Sequence, residues 1–196
     1  MRTQAKLPGT VRRIILTGFM GAGKSTIGPM LAQRLGWDFV DTDTVIESRT
    51  GLTVARIFAD QGEAAFRALE AQAVRNHTQA EDLVLALGGG AVEFEGTREA
   101  LFEPGETCVI FLDAPLEVMV ARCTAQPGAA ERPVLQDRER LVARLAARLP
   151  HYRRAHVTVA TADLSPEAVT DAIVEAIADA LPARCGSPLK KGKSEF

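Results

Sequence analysis

The chain has 196 residues and a formal net charge of −2, and 46% of its residues are hydrophobic. These values predict one globular domain with a full core and argue against a protein that holds nucleic acid through a basic surface. Cys108, Cys123 and Cys185 lack the spacing of a metal site or a disulfide framework, so we expect a reducing, cytoplasmic setting. No apolar run in the sequence is long enough to cross a bilayer, and residues 1–10 do not resemble a secretory signal.

Short apolar runs alternate with amphipathic segments along the chain. The runs predict five buried strands, at 13–17, 37–40, 83–87, 108–112 and 157–160. The other segments predict helices at 24–35, 44–49, 54–59, 63–77, 97–101, 116–123, 137–148 and 166–181. This alternation specifies an α/β fold with an open, doubly wound parallel sheet. Ligands bind such sheets at the carboxyl ends of the strands, so the residues that follow each strand are the candidates for a site.

The first strand leads into Gly18-Phe19-Met20-Gly21-Ala22-Gly23-Lys24-Ser25-Thr26, which fits the pattern G-x-x-x-x-G-K-S/T between a strand and a helix. Its glycines let successive backbone N–H groups point inward and bind anionic oxygens. Lys24 can reach the β- and γ-phosphates of a nucleotide, and the Ser25 hydroxyl suits Mg²⁺. The flanking strand and helix disfavour the alternative, a glycine-rich turn with a lysine at a helix start. We therefore predict a phosphate loop whose binding residues are Gly21, Ala22, Gly23, Lys24, Ser25 and Thr26.

Asp41 and Asp43 follow the second strand two residues apart, so in an extended chain both side chains leave on the same face. One carboxylate could hold Mg²⁺ through water while the other accepts a proton from an attacking hydroxyl, and phosphoryl transfer needs both roles. The alternative is that they only form an Asx turn or cap the next helix. After the third strand, Gly88-Gly89-Gly90 exposes backbone N–H groups to a small ligand, although a flexible turn would have the same composition.

Three arginines are candidates for binding anionic groups. Arg67 lies on a predicted helix between Glu63 and Glu70, a spacing that fits either surface ion pairs or a substrate carboxylate held by Arg67 and oriented by Glu70. Arg132 ends a stretch without apolar periodicity, which could be a mobile lid that brings an arginine to the transferred phosphate. Arg148 ends its predicted helix, where the helix dipole alone would favour a cation.

Taken together, these motifs resemble the shikimate kinase family from about residue 13 to residue 181. The matching stretches are the phosphate loop, Asp41-Thr42-Asp43, Ile57-Phe58 with Gly62-Glu63-Ala64-Ala65-Phe66-Arg67 and Glu70, Leu87-Gly88-Gly89-Gly90-Ala91, Arg132-Pro133-Val134-Leu135 and Arg148-Leu149-Pro150-His151-Tyr152. A phosphate loop alone would indicate only a superfamily, whereas this ordered combination is specific. The resemblance implies the P-loop NTPase fold of nucleoside monophosphate kinases, a five-stranded parallel sheet flanked by helices. It also implies a substrate-binding segment at about 43–78 and a lid at about 123–136.

The same resemblance implies a kinase that uses ATP and Mg²⁺ to convert shikimate to shikimate 3-phosphate, a step in the synthesis of chorismate and the aromatic amino acids. The residues that it implies are Lys24, Asp43 and Arg132 for catalysis; Ser25 and Asp41 for Mg²⁺; Asp43, Arg67, Gly88, Gly89, Gly90 and Arg148 for shikimate; and Gly21, Ala22, Gly23, Lys24, Ser25, Thr26, Arg122 and Arg132 for ATP. Asp43 would bind the shikimate hydroxyls and accept the proton, and the region around Pro166 would lie near the adenine.

We expect one kinase domain over 13–182, a short arm at 1–12, a disordered tail at 183–196, and a monomer without nucleic-acid or membrane partners. Two alternatives remain: another small-molecule kinase of the same fold, such as a gluconate or nucleoside monophosphate kinase, and a non-catalytic ATP-binding module. The Asp-Thr-Asp motif together with Arg67 favours shikimate over other acceptors. A module that only switches conformation would not need a site for an acceptor substrate. The presence of Lys24, Ser25, Asp41, Asp43 and Arg132 therefore argues against a non-catalytic module.

Overall fold

The computed structural model describes residues 11–102, 106–125 and 137–180, and the predicted arm, lid and tail lie wholly or mostly outside these ranges. In the described residues one sheet is formed by β1 (Arg13–Thr17), β2 (Asp38–Asp41), β3 (Leu83–Ala86), β4 (Thr107–Asp113) and β5 (Val157–Ala160). The strands are parallel and lie in the order β2-β3-β1-β4-β5. The predicted α/β fold with a parallel sheet is confirmed, and the carboxyl ends of β1, β2 and β3 meet at one edge.

The helices of the described residues are α1 (Lys24–Leu35), α2 (Thr42–Thr50), α3 (Val54–His77), α4 (Glu95–Phe102), α5 (Leu116–Thr124), α6 (Arg138–Tyr152) and α7 (Pro166–Ala180), with a 3₁₀ turn at Ala91–Glu93. Local signals set several of their ends. Gly36 ends α1 with a φ of 72°, and the Ser165 hydroxyl caps α7 by accepting the N–H of Ala168 at 3.2 Å. In this part of the chain no helix is long and apolar enough to span a membrane.

Two helices differ from the sequence prediction at residues that usually break helices. The predicted break at Gly62 is a kink, with φ 81° and ψ 171°, inside the single element α3. Helix α6 continues through Pro150 to Tyr152, where the sequence predicted an end at Arg148. Pro150 has no N–H to donate, so α6 loses one backbone hydrogen bond there, but the buried Tyr152 ring stacks on Phe111 with 5.2 Å between the ring centres. Packing therefore outweighs the local signal, and one face of α6 delivers both Arg148 and Tyr152.

The core lies between the sheet and its helices, and a second, smaller cluster lies apart from it. All four residues of β3 are buried, which explains its uninterrupted apolar sequence. The smaller cluster, formed by Ile46, Ile57, Phe66 and Ala73, packs α2 against α3. The helix that carries Arg67 thus has its own apolar support beside the sheet edge.

A glycine allows α1 to lie close against β2. A β-carbon on Gly28 would clash with the ring of Phe39 on β2, so only glycine permits this approach. At the edge of the sheet the same two elements are joined by a hydrogen bond of 3.0 Å, which the Ser25 hydroxyl, at the start of α1, donates to Oδ2 of Asp41, at the end of β2.

We predict that Gly28→Ala lowers the free energy of unfolding by about 1–2 kcal/mol, because overpacking against Phe39 costs about 2–3 kcal/mol and the gain in helix propensity is only about 1 kcal/mol. Denaturant unfolding monitored by circular dichroism measures this change. Gln33→Ala, at an exposed position of the same helix, is the matched control and should alter stability by less than about 0.5 kcal/mol. A Gly28→Ala protein as stable as the parent would contradict the close approach of α1 to β2.

Candidate active site

A cavity of about 580 Å³ opens at the carboxyl edge of the sheet. Its lining residues come from the ends of β1, β2, β3 and β5, from the starts of α1, α2 and α7, and from α5. They include Gly21, Ala22, Gly23, Lys24, Ser25, Thr26, Asp41, Asp43, Gly88, Gly89, Arg122, Thr161, Leu164 and Pro166. The predicted phosphate loop and both aspartates therefore share one cavity with Gly88 and Gly89 of the glycine turn Gly88-Gly89-Gly90, while Gly90 is not among its lining residues. Arg132 lies outside the described residues.

The phosphate loop has the backbone that its glycines predicted. Gly21 has a φ of 74° and Gly23, which precedes the first turn of α1, has a φ of 107°. The Lys24 ammonium donates hydrogen bonds to the carbonyl oxygens of Gly18 at 2.8 Å and Phe19 at 3.0 Å. Burial lowers the pKa of Lys24 to about 8, although the nearby carboxylates of Asp43 and Asp41 oppose that shift. An anionic ligand in the loop would stabilise the charge of this lysine.

Asp41 has two partners, which reconcile the two interpretations of the aspartate pair. It ends β2 and caps α2, since its Oδ1 accepts the backbone N–H of Asp43 at 3.0 Å. Its other oxygen, Oδ2, accepts from the Ser25 hydroxyl. Asp43 lies in the first turn of α2, so the prediction that both side chains leave an extended chain on one face is wrong. They nevertheless line the same cavity, because the helix begins directly at the strand end.

The carboxylate of Asp43 points toward the glycine turn. Within the described part of the chain its Oδ1 is buried without a hydrogen-bond partner, and a β-carbon on Gly88 would lie 2.9 Å from it. Burial raises the pKa of Asp43 to about 6, and Asp41 adds to the rise while Lys24 and Arg67 oppose it. Such a carboxylate is ionised at neutral pH yet basic enough to accept a proton.

Thr42, between the two aspartates, has a positioning role that sequence reasoning missed. Its side chain is fully buried, and its Oγ1 accepts the backbone N–H of Gly88 at 3.0 Å. The bond holds the start of α2 against the glycine turn. A threonine at a helix start is typical of local capping, and the sequence contains no signal for a partner 46 residues away.

Arg67 lies against the glycine turn with carboxylates around it. Its Nη1 donates to Oε2 of the fully buried Glu70 at 2.7 Å, and its Nη2 donates to Oε1 of the exposed Glu63 at 3.1 Å. The Arg67 side chain is only 12% exposed, and a β-carbon on Gly90 would collide with its guanidinium. Burial raises the pKa of Glu70 to about 7, against the opposing effect of Arg67. The surface-ion-pair interpretation therefore does not describe Arg67 and Glu70.

Arg148 reaches the same place from α6. Its Nε donates a hydrogen bond of 2.9 Å to Oε2 of Glu93, and its Nη2 lies 2.8 Å from the same oxygen in an ion pair. Its guanidinium lies 5.6 Å from the centre of the Phe19 ring. The Glu93 oxygen also lies 3.9 Å from Nη2 of Arg67. Two buried or nearly buried guanidinium groups thus converge beside the glycine turn, and sequence reasoning missed the carboxylate that links them.

Two further contacts fix the walls of the cavity. The Tyr152 hydroxyl donates to the carbonyl oxygen of Gly89, which holds the glycine turn from the side of α6. The Arg122 guanidinium donates hydrogen bonds to the carbonyl oxygen of Thr161 and, at 2.9 Å, to Oγ1 of Thr161. It also donates to the carbonyl oxygen of Gly21 at 3.5 Å. Arg122 therefore lies on the cavity, where it links the phosphate loop to the end of β5. A contact between Arg122 and adenine stays a prediction.

Comparison with known proteins points to one family. The family model named Shikimate kinase matches residues 20–178. Curated shikimate kinases of Salinibacter ruber and Thermus thermophilus are 40% and 42% identical to this chain; each comparison covers 87% of this chain, and 87% and 92% of the respective relative. The solved structure of shikimate kinase from Acinetobacter baumannii in complex with shikimate has a TM-score of 0.77 at 38% identity, over 85% of this chain and 92% of that one.

The raised pKa of Asp43 predicts a pH-dependent effect on stability. The pKa of Asp43 is about 6 in the native state and 3.8 for the unperturbed group. Ionisation of Asp43 therefore destabilises the native state; the full destabilisation is present above about pH 6 and none of it below about pH 4. Asp43→Asn should raise the free energy of unfolding by about 1–2 kcal/mol near pH 8 and by much less near pH 4. Denaturant unfolding at both pH values measures the difference, with Asp38→Asn, an exposed carboxylate of β2, as the control. Equal effects at the two pH values would contradict the burial of Asp43.

Proposed function

This chain belongs to the shikimate kinase family, and from that premise we propose how its own residues transfer a phosphoryl group from ATP to shikimate. The protein is a shikimate kinase that converts shikimate to shikimate 3-phosphate. One observation carries the assignment of residues: Asp43, a buried carboxylate with a raised pKa, lines the same cavity as the phosphate loop and faces the glycine turn. A proton acceptor therefore stands beside the phosphate site.

ATP would bind with its phosphates on the backbone N–H groups of the phosphate loop and at the start of α1. Lys24 would exchange its contacts with the carbonyl oxygens of Gly18 and Phe19 for phosphate oxygens, which would raise its lowered pKa. The adenine would lie toward Arg122, Leu164 and Pro166, which line the remaining wall of the cavity.

The residues at the strand ends fit Mg²⁺. Ser25 Oγ and Asp41 Oδ2 are a hydroxyl and a carboxylate oxygen 3.0 Å apart, and Mg²⁺ in phosphate sites takes one or two such hard oxygen ligands together with phosphate oxygens and water. We propose these two side chains as its protein ligands, directly or through water. When bound, the ion would neutralise negative charge on the phosphates.

Shikimate carries one carboxylate and three hydroxyls, and the site offers a partner for each kind of group. Arg67 and Arg148 converge beside the glycine turn and would bind the carboxylate, because planar guanidinium groups match its geometry. The backbone of the glycine turn would face the ring, where side chains are absent. The buried, unpartnered Oδ1 of Asp43 would then accept a hydrogen bond from the reacting hydroxyl.

The chemical step follows from this placement. As the shikimate oxygen attacks the γ-phosphorus, the new P–O bond forms, the P–O bond to ADP breaks, and the hydroxyl proton passes to Asp43. Lys24 stabilises the charge on the transferred group. We retain the proposal that Arg132, from the lid, adds a second positive charge there.

The domain assignment also stays a proposal. We propose one kinase domain over 13–182, with a substrate-binding segment at about 43–78 that the cluster of Ile46, Ile57, Phe66 and Ala73 supports, and a lid at about 123–136. The reducing cytoplasm remains our proposed location, because the buried Cys108 and Cys123 form no disulfide within the described residues, and the monomeric state stays a prediction.

A direct assay tests the acceptor. ADP release with ATP and Mg²⁺ should be slow alone and strongly stimulated by shikimate, with no stimulation by gluconate or AMP. Stimulation by gluconate or AMP instead would support another kinase of the same fold. ADP release that no acceptor stimulates would support a nucleotide-binding module.

We predict that Asp43→Asn lowers kcat by about two to four orders of magnitude while the KM for ATP changes little, because the proton acceptor is lost. In the parent protein kcat/KM for shikimate should fall below about pH 6, where Asp43 becomes protonated. Steady-state ADP release over a range of pH measures both effects, and Asp38→Asn is again the control. Unchanged turnover would remove Asp43 from the mechanism.

A second prediction concerns Arg67, one of the two arginines that would bind the carboxylate of shikimate. Arg67→Ala should weaken shikimate binding by about 2–4 kcal/mol, because the substrate carboxylate loses a buried partner, while the KM for ATP changes little. Arg56→Ala is the matched control, since Arg56 lies on the same helix but forms an exposed pair with Asp60. An Arg67→Ala protein with the shikimate KM of the parent would return Arg67 to a structural role.

A further inference from the structure

Glu93 places a carboxylate oxygen between Arg67 and Arg148, the two arginines that we propose bind the carboxylate of shikimate. Its Oε2 accepts a hydrogen bond of 2.9 Å from Nε of Arg148. The same oxygen lies 2.8 Å from Nη2 of Arg148 and 3.9 Å from Nη2 of Arg67. A substrate carboxylate that both guanidinium groups hold would need this same position. We propose that Glu93 competes with the carboxylate of shikimate for the two arginines and so sets the affinity for shikimate. This inference rests on the proposed function, in which Arg67 and Arg148 bind that carboxylate.

Among the described residues three carboxylates lie within 4.0 Å of the Arg67 guanidinium, and of these only Glu93 is suited to be displaced. Glu70 is fully buried, so moving it away from Arg67 would leave an unpaired charge in the interior. Glu63 is 57% exposed and lies on the outer side of Arg67 without contacting Arg148. Glu93 is 36% exposed and ends the short 3₁₀ turn Ala91–Glu93, so its carboxylate has water beside it to move into.

Arg148 makes the exchange favourable. Its side chain is 7% exposed, and in the described part of the chain Glu93 is the only carboxylate within 4.0 Å of its guanidinium. A largely buried guanidinium needs a counterion, and either Glu93 or the substrate can supply it. Binding of shikimate therefore replaces the ion pair of Arg148 with Glu93 by an ion pair with the substrate. The free energy of the lost pair reduces the net free energy of shikimate binding.

The proposal predicts a change opposite in sign to that of a positioning role. If Glu93 only orients Arg148 for the substrate, its removal should weaken shikimate binding. If Glu93 competes, its removal should strengthen binding, because Arg148 then lacks a counterion until the substrate arrives.

The test compares Glu93→Gln with Glu63→Gln, which removes the same charge from the outer side of Arg67. We expect Glu93→Gln to lower the KM and the calorimetric Kd for shikimate about three- to tenfold, with kcat and the KM for ATP changed less than about twofold. Glu63→Gln should change the shikimate KM less than about twofold. An unchanged or raised shikimate KM in Glu93→Gln overturns the proposal, as does an equal decrease in both variants, which would indicate a general effect of charge.

Two further arms keep the test decisive. Glu93→Asp is the substitute if Glu93→Gln fails to fold. It withdraws the carboxylate from the arginines by one methylene and should also lower the shikimate KM. The neutral amide of shikimate should bind the parent and Glu93→Gln equally, because it carries no carboxylate to compete; a gain for the amide would also overturn the proposal. A failure of the proposed function itself would show differently, as Arg67→Ala and Arg148→Ala proteins that retain the shikimate KM of the parent.

Discussion

One hydrogen bond holds the parts of the site together, the bond of 3.0 Å from the Gly88 N–H to the buried hydroxyl of Thr42. Strands β2 and β3 pair in parallel with Asp41 opposite Ala86, so the residues that follow them leave the sheet side by side. Thr42 then joins the start of α2 to the glycine turn. On either side of Thr42, Asp41 faces Ser25 and Asp43 faces the turn, so the phosphate and acceptor halves of the cavity share one wall.

The site keeps its charges in places where burial opposes them. Burial lowers the pKa of Lys24 and raises those of Asp43 and Glu70, and neighbours of opposite charge offset only part of each shift. The cationic side chains donate hydrogen bonds to acceptors within the chain: Lys24 to two carbonyl oxygens of the phosphate loop, and Arg148 to Glu93. In the proposed mechanism the phosphates and the carboxylate of the substrates replace these acceptors. Binding energy is thus set by an exchange of partners rather than by the new contacts alone.

Local patterns in the sequence predicted the strands, most helices and the phosphate loop, because apolar runs, caps and glycine spacing act over a few residues. The same reasoning misjudged α6, since the packing of Tyr152 on Phe111 carries the helix through Pro150. It could not identify Thr42, Glu93 or Tyr152, whose partners lie 46, 55 and 63 residues away along the chain. Those contacts depend on how the strand ends are arranged in three dimensions, and a single sequence does not encode that arrangement in any short pattern.

A crystal structure of the protein with shikimate and ADP tests the central claim most directly. The account predicts that the reacting hydroxyl of shikimate lies within about 2.6–3.2 Å of a carboxylate oxygen of Asp43 and points toward the phosphate loop. Shikimate bound away from Asp43, or turned so that its hydroxyls face the arginines and its carboxylate faces the phosphate loop, would contradict it.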